Sequence, residues 1–523
     1  MSKGRTLMIQ GTASHAGKTV LVAALCRIIA RAGYRVAPFK AQNMSLNSYV
    51  TPDGREIARA QALQAFAAGV EPRSEMNPIL LKPKGGLVSQ VVLMGKPFRD
   101  ITFADYYREF ALNKGIRAVR ESLKVLLSEF DVIVIEGAGS PVEINLYDRE
   151  IANMTVARLA RAPVLLVADI DRGGVFASIV GTMSLLKPKD RERVKGFIIN
   201  KFRGDSAVLE PGVRKLEKLT GKPILGVMPY MDGLDLPWED SVSLEGLSNH
   251  SSGTIAIAVI KLPFISNFTD IHPLIIGGVH VYMAKSTREL KNPDAVIIPG
   301  TKNAVHDLLW LKKTGLDSEI LRLRRSRVPI IGICGGYQIL GKKLIDPFGL
   351  EGGTANEYEG LGLLEIVSTF SRYKKTTRRV RAEVTGKGPI LGRVAGRRIN
   401  AYEIHMGETN VGAYETPFQI LSANSRAASH QEGAISEDGM VFGSYLHGLF
   451  DDEAVTHALL NYLAEKKGIS VGSEVSIDKA WRDSLDLLCS TVGANIDVAR
   501  ILRIAGLKTA KANESWNHST ATS

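Results

Sequence analysis

The sequence predicts an α/β protein: a phosphate-loop domain on a parallel sheet, then a second α/β domain, then a helical C-terminal tail. Three observations carry that prediction. Short β-branched apolar runs alternate with helical stretches through both halves of the chain. A glycine-rich turn, GTASHAGKT (residues 11–19), joins the first such run to a long helical stretch. A second glycine-rich turn, in PIIGICGGYQILG (residues 329–341), carries a cysteine between a strand and a helix.

Taken in order, RTLMIQGT reads as the first strand, GKTVLVAALCRIIARAG as the first helix and YRVAPFKA as the second strand. DVIVIEGAG, APVLLVADI, VKGFIINKF and PILGVMPY follow as further short apolar runs. Continuous apolar strands separated by helices indicate a parallel sheet covered on both faces. Ligands of such sheets bind beyond the carboxyl ends of the strands. Residues 11–19, Lys40, Glu136, Asp169 and Asn200 all fall there. Residues 236–253 turn polar and irregular, as a linker does. TIAIAVIKLPFI, DAVIIPGT and VPIIGICGG then open a second α/β pattern, which becomes more β-rich up to VFGSYLHGLF. AVTHALLNYLAEKKG, WRDSLDLLCSTVG and DVARILRIAG are helical in period. The expected boundaries are 1–235, a linker at 236–253, 254–452, a helical extension at 453–510 and a disordered end at 511–523.

Composition narrows the function classes. A chain of 523 residues, 45% hydrophobic and 23% charged, has the balance of a soluble globular protein of several domains. No apolar run is long enough to span a bilayer. The N-terminus runs straight into a strand without a signal-peptide core, which predicts a cytoplasmic protein. Cys26, Cys334 and Cys489 are scattered, so neither a zinc site nor a disulfide framework is expected. The net charge of +12 comes without a nucleic-acid-binding module or a long basic tract, and no nucleic acid is expected as partner. A basic surface would instead draw in anionic substrates.

The loop at 11–19 differs from the standard phosphate loop by one residue between its glycines. Its chemistry is the same. Gly11, Thr12 and Gly17 let backbone N–H groups turn toward phosphate oxygens, and the helix that follows adds its dipole. Lys18 is placed to reach the β- and γ-phosphates, and Thr19 to offer its hydroxyl to Mg2+. Lys40, ending the second strand, would neutralise a phosphate or a substrate carboxylate. Glu136, at a strand end before Gly137, suits a Mg2+ ligand. Glu56, Asp53, Asp169 and Asp171 are further metal candidates. Tyr147 and Asp148, shortly after Glu136, are candidate substrate contacts.

Cys334, between Gly332 and the pair Gly335–Gly336, has the form of a nucleophile elbow. Small neighbours permit a strained turn that lifts the sulfur out of the sheet, and the following helix N-terminus favours a thiolate. The Gly335 N–H is one oxyanion donor, and the loop PGTKN, with Gly300, could supply another. His447 in VFGSYLHGLF is the candidate base. His405 in YEIHMG competes best among the others (His272, His280, His306 and His430).

With these residues in view, 254–452 resembles a triad-type glutamine amidotransferase domain, and 5–230 resembles the dethiobiotin-synthetase-like ATPases. Their fusion in this order resembles the glutamine-dependent corrinoid amidases. LMIQGTASHAGKT, FKAQNMSLNSYVTPDGREIARAQALQA, NPILLKP, VIEGAGSPVEINLYDREIANM, VADIDRGGVFAS, INKFRGD, PGTKN, ICGGYQILG and YEIHMG carry the likeness up to about residue 490. Residues 39–65 discriminate most, because a generic phosphate-loop enzyme has no reason to carry them.

The resemblance implies ATP- and glutamine-dependent amidation of the b, d, e and g carboxylates of adenosylcobyrinic acid a,c-diamide, in cobalamin biosynthesis. It implies glutamine hydrolysis at Cys334 with His447, and ammonia passing by an internal path to an acyl phosphate. ATP, Mg2+, glutamine and the corrinoid are the implied partners, with no tightly bound prosthetic group; a homo-oligomer is open. One departure stands out. Triad members carry a glutamate two residues after the histidine, and here that position is Leu449. Asp451, Asp452 and Glu403 are candidates for the missing orienting group.

Other ligases share this architecture: the corrinoid a,c-diamide synthase, and one acting on a cell-wall lipid. Assays on corrinoids separate them. A partitioning-type ATPase switch has a related loop but leaves Cys334 and His447 without a role, and glutaminase activity separates it.

Overall fold

The computed structural model describes residues 4–231, 233–236, 254–371, 374–412, 415–469 and 476–508. The chain forms two compact units, neither contiguous in sequence. One comprises Met1–Ser45, Ile57–Leu236 and Trp481–Ser523, and the other Leu46–Glu56 and Pro237–Ala480. The boundaries expected from sequence were single cuts. The chain instead changes unit on either side of Leu46–Glu56 and again at Trp481. Residues 237–253 and 511–523, read above as linker and disordered end, lie outside the described residues.

The first unit is built on six parallel strands in the order Ile224–Pro229, Val194–Phe202, Val164–Asp169, Arg5–Gly11, Val132–Glu136 and Val36–Phe39. All six were anticipated as apolar runs. Side chains alternate between the faces of a strand, which explains why these runs are apolar throughout. Leu7 and Ile9 pack with Leu21, Val22 and Leu25 of helix Lys18–Arg31. Met8, between them, packs with Val119, Leu123 and Leu126 of helix Ile116–Glu129 on the opposite face. Each such fully buried side chain stabilises the fold by about 1.5–3 kcal/mol relative to exposure.

The C-terminal helices complete the first of these layers. Leu485, Leu488 and Val492 of Ile477–Asn495, with Ile501 and Leu502 of Val498–Ile504, join the same core. Arg27 Nε donates to Asp486 Oδ1 at 2.7 Å. A smaller sheet of Gln42–Met44, Ile79–Gly85, Val88–Leu93 and Lys96–Thr102 was not anticipated. Its hairpins turn at Gly85–Gly86 and at Met94–Gly95, all with positive φ.

The second unit has its own parallel sheet, ordered His280–Ala284, Ala256–Ile260, Ala295–Ile298, Ile330–Ile333 and Val441–Ser444, edged by antiparallel Ala434–Ile435. A five-stranded antiparallel sheet accounts for the β-rich stretch: Arg426–Glu432, Phe418–Ala423, Lys375–Val384, Arg398–Met406 and Leu446–His447. Among the described residues, no helix is long and apolar enough to cross a membrane.

Candidate active sites

The loop of the first unit leaves strand Arg5–Gly11 and re-enters helix at Lys18. Gly17 stands at φ 92°, a left-handed conformation, and a Cβ there would lie 2.0 Å from Asn200 Nδ2. Glycine meets both demands. Asn200 Nδ2 donates to Ala16 O at 2.9 Å, and Lys201 Nζ to His15 O at 2.8 Å. The loop is therefore clamped from the end of strand Val194–Phe202. Thr12 N donates to Val167 O at 2.9 Å. Lys18 Nζ donates to Ala13 O at 2.8 Å and to Gly139 O at 3.4 Å, spanning the loop and the turn after Glu136.

Glu136 is the hub beside it, and it is buried. Its Oε1 accepts from Thr19 Oγ1 at 2.9 Å and from Lys40 Nζ at 2.7 Å. Its Oε2 accepts from Gln64 Nε2 at 2.5 Å. Gly11, Thr12, Gly17, Lys18, Thr19, Lys40 and Glu136 thus converge, as their strand-end positions suggested. Gln64 was not foreseen. It lies on helix Arg59–Ala67, within a stretch that sequence reading valued for its resemblance alone.

Six further residues expected to bind metal or substrate here have other partners. Glu56 is not a metal ligand beside the loop: it belongs to the second unit, where its buried carboxylate accepts from Ser48 Oγ at 2.8 Å and pairs with Lys375. Asp53 is held in a local turn by Thr51 and Arg55. Asp169 and Asp171 are paired with Lys201 at 2.7 Å and Arg203 at 3.1 Å, not gathered with Thr19. Tyr147, read as a substrate contact, is buried and donates its hydroxyl to Asp190 Oδ2 at 2.5 Å. An amphipathic tyrosine satisfies its polar tip this way. Asp148 is exposed and pairs with Lys187 at 2.7 Å. Among the described residues, no cluster of three or more His, Cys, Asp or Glu could hold a metal on its own.

In the second unit, Cys334 ends strand Ile330–Ile333 and caps helix Gly335–Leu340 at φ 53° and ψ −108°. A non-glycine residue persists in such a conformation only where its surroundings over-determine it. Here Cys334 N donates to Ser444 O at 2.8 Å on the neighbouring strand. The sulfur lies 3.4 Å from Ile404 O. The other cysteines are ordinary core residues: burial pushes the Cys489 thiol up to about 11 and Cys26 further.

His447 is the histidine that meets Cys334. It is fully buried and stacks on Tyr402 with ring centroids 5.3 Å apart. Burial by itself lowers its pKa, but the Asp270 carboxylate and the Cys334 sulfur, a hydrogen-bonding neighbour, more than offset this and hold it at about 10. Gly300 lies alongside: a Cβ there would be 3.1 Å from His447 Cε1. Gly335 abuts the same loop, its Cβ position 3.1 Å from Thr301 N. Four of the competing histidines are engaged elsewhere. His405 stacks on Tyr445 at 3.6 Å, His430 meets Arg378 at 2.9 Å, His280 stacks on Tyr282 and His306 packs on Phe264.

The orienting group is none of the expected three. Asp270 Oδ2 lies 2.7 Å from His447 Nδ1, and Asp270 Oδ1 accepts from Gly448 N at 2.8 Å. Asp452 caps helix Glu453–Lys467 and pairs with Arg397 at 2.8 Å. Glu403 pairs with Arg378 at 2.7 Å. Asp451 lies in the short turn Leu449–Asp451 that follows the histidine. Cys334, His447 and Asp270 thus stand in one chain of contacts.

Two family models match the chain. Residues 7–241 match the CobQ/CobB/MinD/ParA nucleotide binding domain. Residues 256–455 match the CobB/CobQ-like glutamine amidotransferase domain. Over 504 residues the chain is 50% identical to the "Probable cobyric acid synthase" of Methanosarcina mazei, covering 96% of this chain and 99% of that protein. The relative of the same printed name from Methanosarcina acetivorans is 49% identical over 506 residues, 96% and 99% of the two chains. The "Cobyric acid synthase" of Pelotomaculum thermopropionicum is 47% identical over 512 residues, 96% and 97%.

Proposed function

The chain belongs to the cobyric acid synthase family, with a nucleotide-binding domain and a glutamine amidotransferase domain, and from that premise we propose that it amidates the b, d, e and g carboxylates of adenosylcobyrinic acid a,c-diamide, using ATP and glutamine. The observation that carries the nitrogen-transfer reading is Cys334 held at φ 53° against the His447–Asp270 pair. A buried structural cysteine has no need of such a backbone or such a neighbour.

In this reading Cys334 Sγ attacks the side-chain amide carbon of glutamine. His447 takes the thiol proton at Nε2 and returns it to the departing ammonia. Asp270 keeps the Nδ1 proton in place and stabilises the imidazolium. The first N–H groups of a helix have no intrahelical partner, so Gly335 N–H is open to the oxyanion, with the Gly300 loop beside it. Water then releases glutamate from the thioester.

In the nucleotide-binding unit, the loop N–H groups and Lys18 hold the phosphates of ATP. A corrinoid carboxylate attacks the γ-phosphorus, ADP leaves, and ammonia displaces phosphate from the acyl phosphate. The phosphoryl step is needed because a carboxylate is a poor electrophile. Thr19 Oγ1 and Glu136 Oε1, 2.9 Å apart, fit Mg2+. That ion takes one or two protein oxygens beside phosphate oxygens and waters, and it would supply charge neutralisation there. Lys40, already on Glu136, is positioned to share that charge.

Asp270→Asn should lower glutamine hydrolysis by about 10^4-fold, by favouring the wrong imidazole tautomer, with ammonia-driven amidation retained. Steady-state kinetics with each nitrogen source checks this; unaltered glutamine kinetics would remove Asp270 from the mechanism. The overall reading is tested by mass spectrometry of the corrinoid diamide incubated with ATP, Mg2+ and glutamine. Successive carboxylate-to-amide conversions at b, d, e and g are expected. Conversion only at a and c of the unamidated corrinoid would transfer the chain to the diamide-synthase reaction.

A further inference from the structure

Asn267 lies between His447 and a segment taken from the first half of the sequence. It is buried, stands at φ 50° and ψ 37°, and opens the turn Phe268–Ile271 that carries Asp270. Asparagine and aspartate tolerate that left-handed conformation best after glycine. Two neighbours define its side-chain orientation. The Ser48 backbone N–H, a donor, is 2.8 Å from Asn267 Oδ1, so that atom is the oxygen. The amide nitrogen therefore faces His447 Nε2, 3.1 Å away. On the other side of the ring, Asp270 can only accept, so Nδ1 carries a proton, and the neutral ring would offer its Nε2 lone pair to Asn267.

That lone pair is the one that must receive the Cys334 proton. A protonated Nε2 would set N–H against N–H. The groups facing His447 are thus at odds: the Asp270 carboxylate and Cys334 sulfur favour imidazolium, the Asn267 amide favours the neutral ring, and the Tyr402 ring stacked on it carries no charge. Glu403, on the strand paired with Leu446–His447, is directed to Arg378.

We propose that Asn267 is a positioning residue that biases the proton balance of the Cys334–His447 pair toward thiol and neutral imidazole. With its NH2 toward Nε2 it works against the imidazolium that the Asp270 carboxylate and the Cys334 sulfur favour. With the amide turned, Oδ1 would accept from protonated Nε2 and hold imidazolium and thiolate. One proton moves, from Cys334 Sγ to His447 Nε2. The first orientation is enforced by Ser48 N–H, and Ser48 is itself anchored: its hydroxyl donates to Glu56, Glu56 pairs with Lys375, and adjacent Tyr49 packs on Tyr402 at 5.6 Å. The inference rests on the glutaminase reading of Cys334.

The experiment is iodoacetamide alkylation of Cys334 across pH, followed by peptide mass, on the full chain without nucleotide. Asn267→Asp keeps an acceptor for Ser48 N–H and replaces the donor facing Nε2 by an oxygen. Asn267→Gly keeps the left-handed backbone and removes the amide without adding charge. The alkylation midpoint should fall by about one pH unit in Asn267→Asp, about tenfold faster reaction on the acid limb, and by less, in the same direction, in Asn267→Gly. Glutamine hydrolysis without ATP should rise in both. A midpoint unmoved in folded Asn267→Gly overturns the role of Asn267. Should one variant not fold, the other decides. Cys334 unreactive at every pH in the unsubstituted protein would overturn the inference together with the glutaminase reading, which Cys334→Ser tests independently.

Discussion

Replacing Cys334 with serine is expected to reduce glutamine-dependent amidation by about 10^4-fold or more, while amidation driven by ammonium salt proceeds at its ordinary rate. The asymmetry follows from what Cys334 touches. Its contacts are the strand Ser444 carbonyl, Ile404 O and His447, all in the amidotransferase unit. A serine hydroxyl fits the same turn but lacks a thiolate's nucleophilicity at neutral pH. Free ammonia bypasses the step. The measurement is amide formation on the corrinoid with each nitrogen donor at pH 8 or above, where enough ammonia is unprotonated. Equal loss of both reactions would sink the assignment of separate ammonia-producing and acceptor-activating sites.

Lys18→Ala is expected to have the complementary effect: amidation falls by at least about 10^2-fold with either donor. Lys18 Nζ reaches across the loop to Ala13 O and Gly139 O, where phosphate oxygens would take over its protons. Lys40 is bonded to Glu136 and Lys201 to Asp169 and His15 O, so both are held by other partners. Glutamine hydrolysis at Cys334 should persist. Ammonia-dependent amidation by the variant at the original rate would show that residues 11–19 are not the catalytic nucleotide site.

What could be read in the sequence was what is encoded locally. The phosphate loop is a contiguous string whose glycines and lysine act within one turn. Cys334 announces itself because Gly332 stands two residues before it and Gly335–Gly336 follow it directly. The six apolar runs of the first sheet were legible because burial on both faces makes each strand apolar throughout. Asp270 left no such mark. It stands 177 positions before His447 and reaches it through the folding of the second unit, while the position two residues after the histidine is Leu449. Asn267 is similarly remote, and Ser48 remoter still. Glu56 is the converse case: nothing near it in sequence marks its partner Lys375, 319 positions further on. The small sheet between Gln42 and Thr102 escaped because its strands are partly exposed, with no sustained period-2 pattern.

The alternation of the chain between its units has a consequence for the gene. Cutting it between the two matched domains would not free two independent proteins. The upstream product would carry off Leu46–Glu56, with Ser48 and Glu56, leaving Asn267 and Lys375 exposed in the other product. The downstream product would carry off the helices from Trp481 onward, baring the apolar layer around Leu21, Leu25 and Val132. Each fragment would hold a piece the other needs. A fission event, or an exchange of one half for that of a related ligase, would have to respect four junctions at once: before Leu46, after Glu56, after Leu236 and before Trp481.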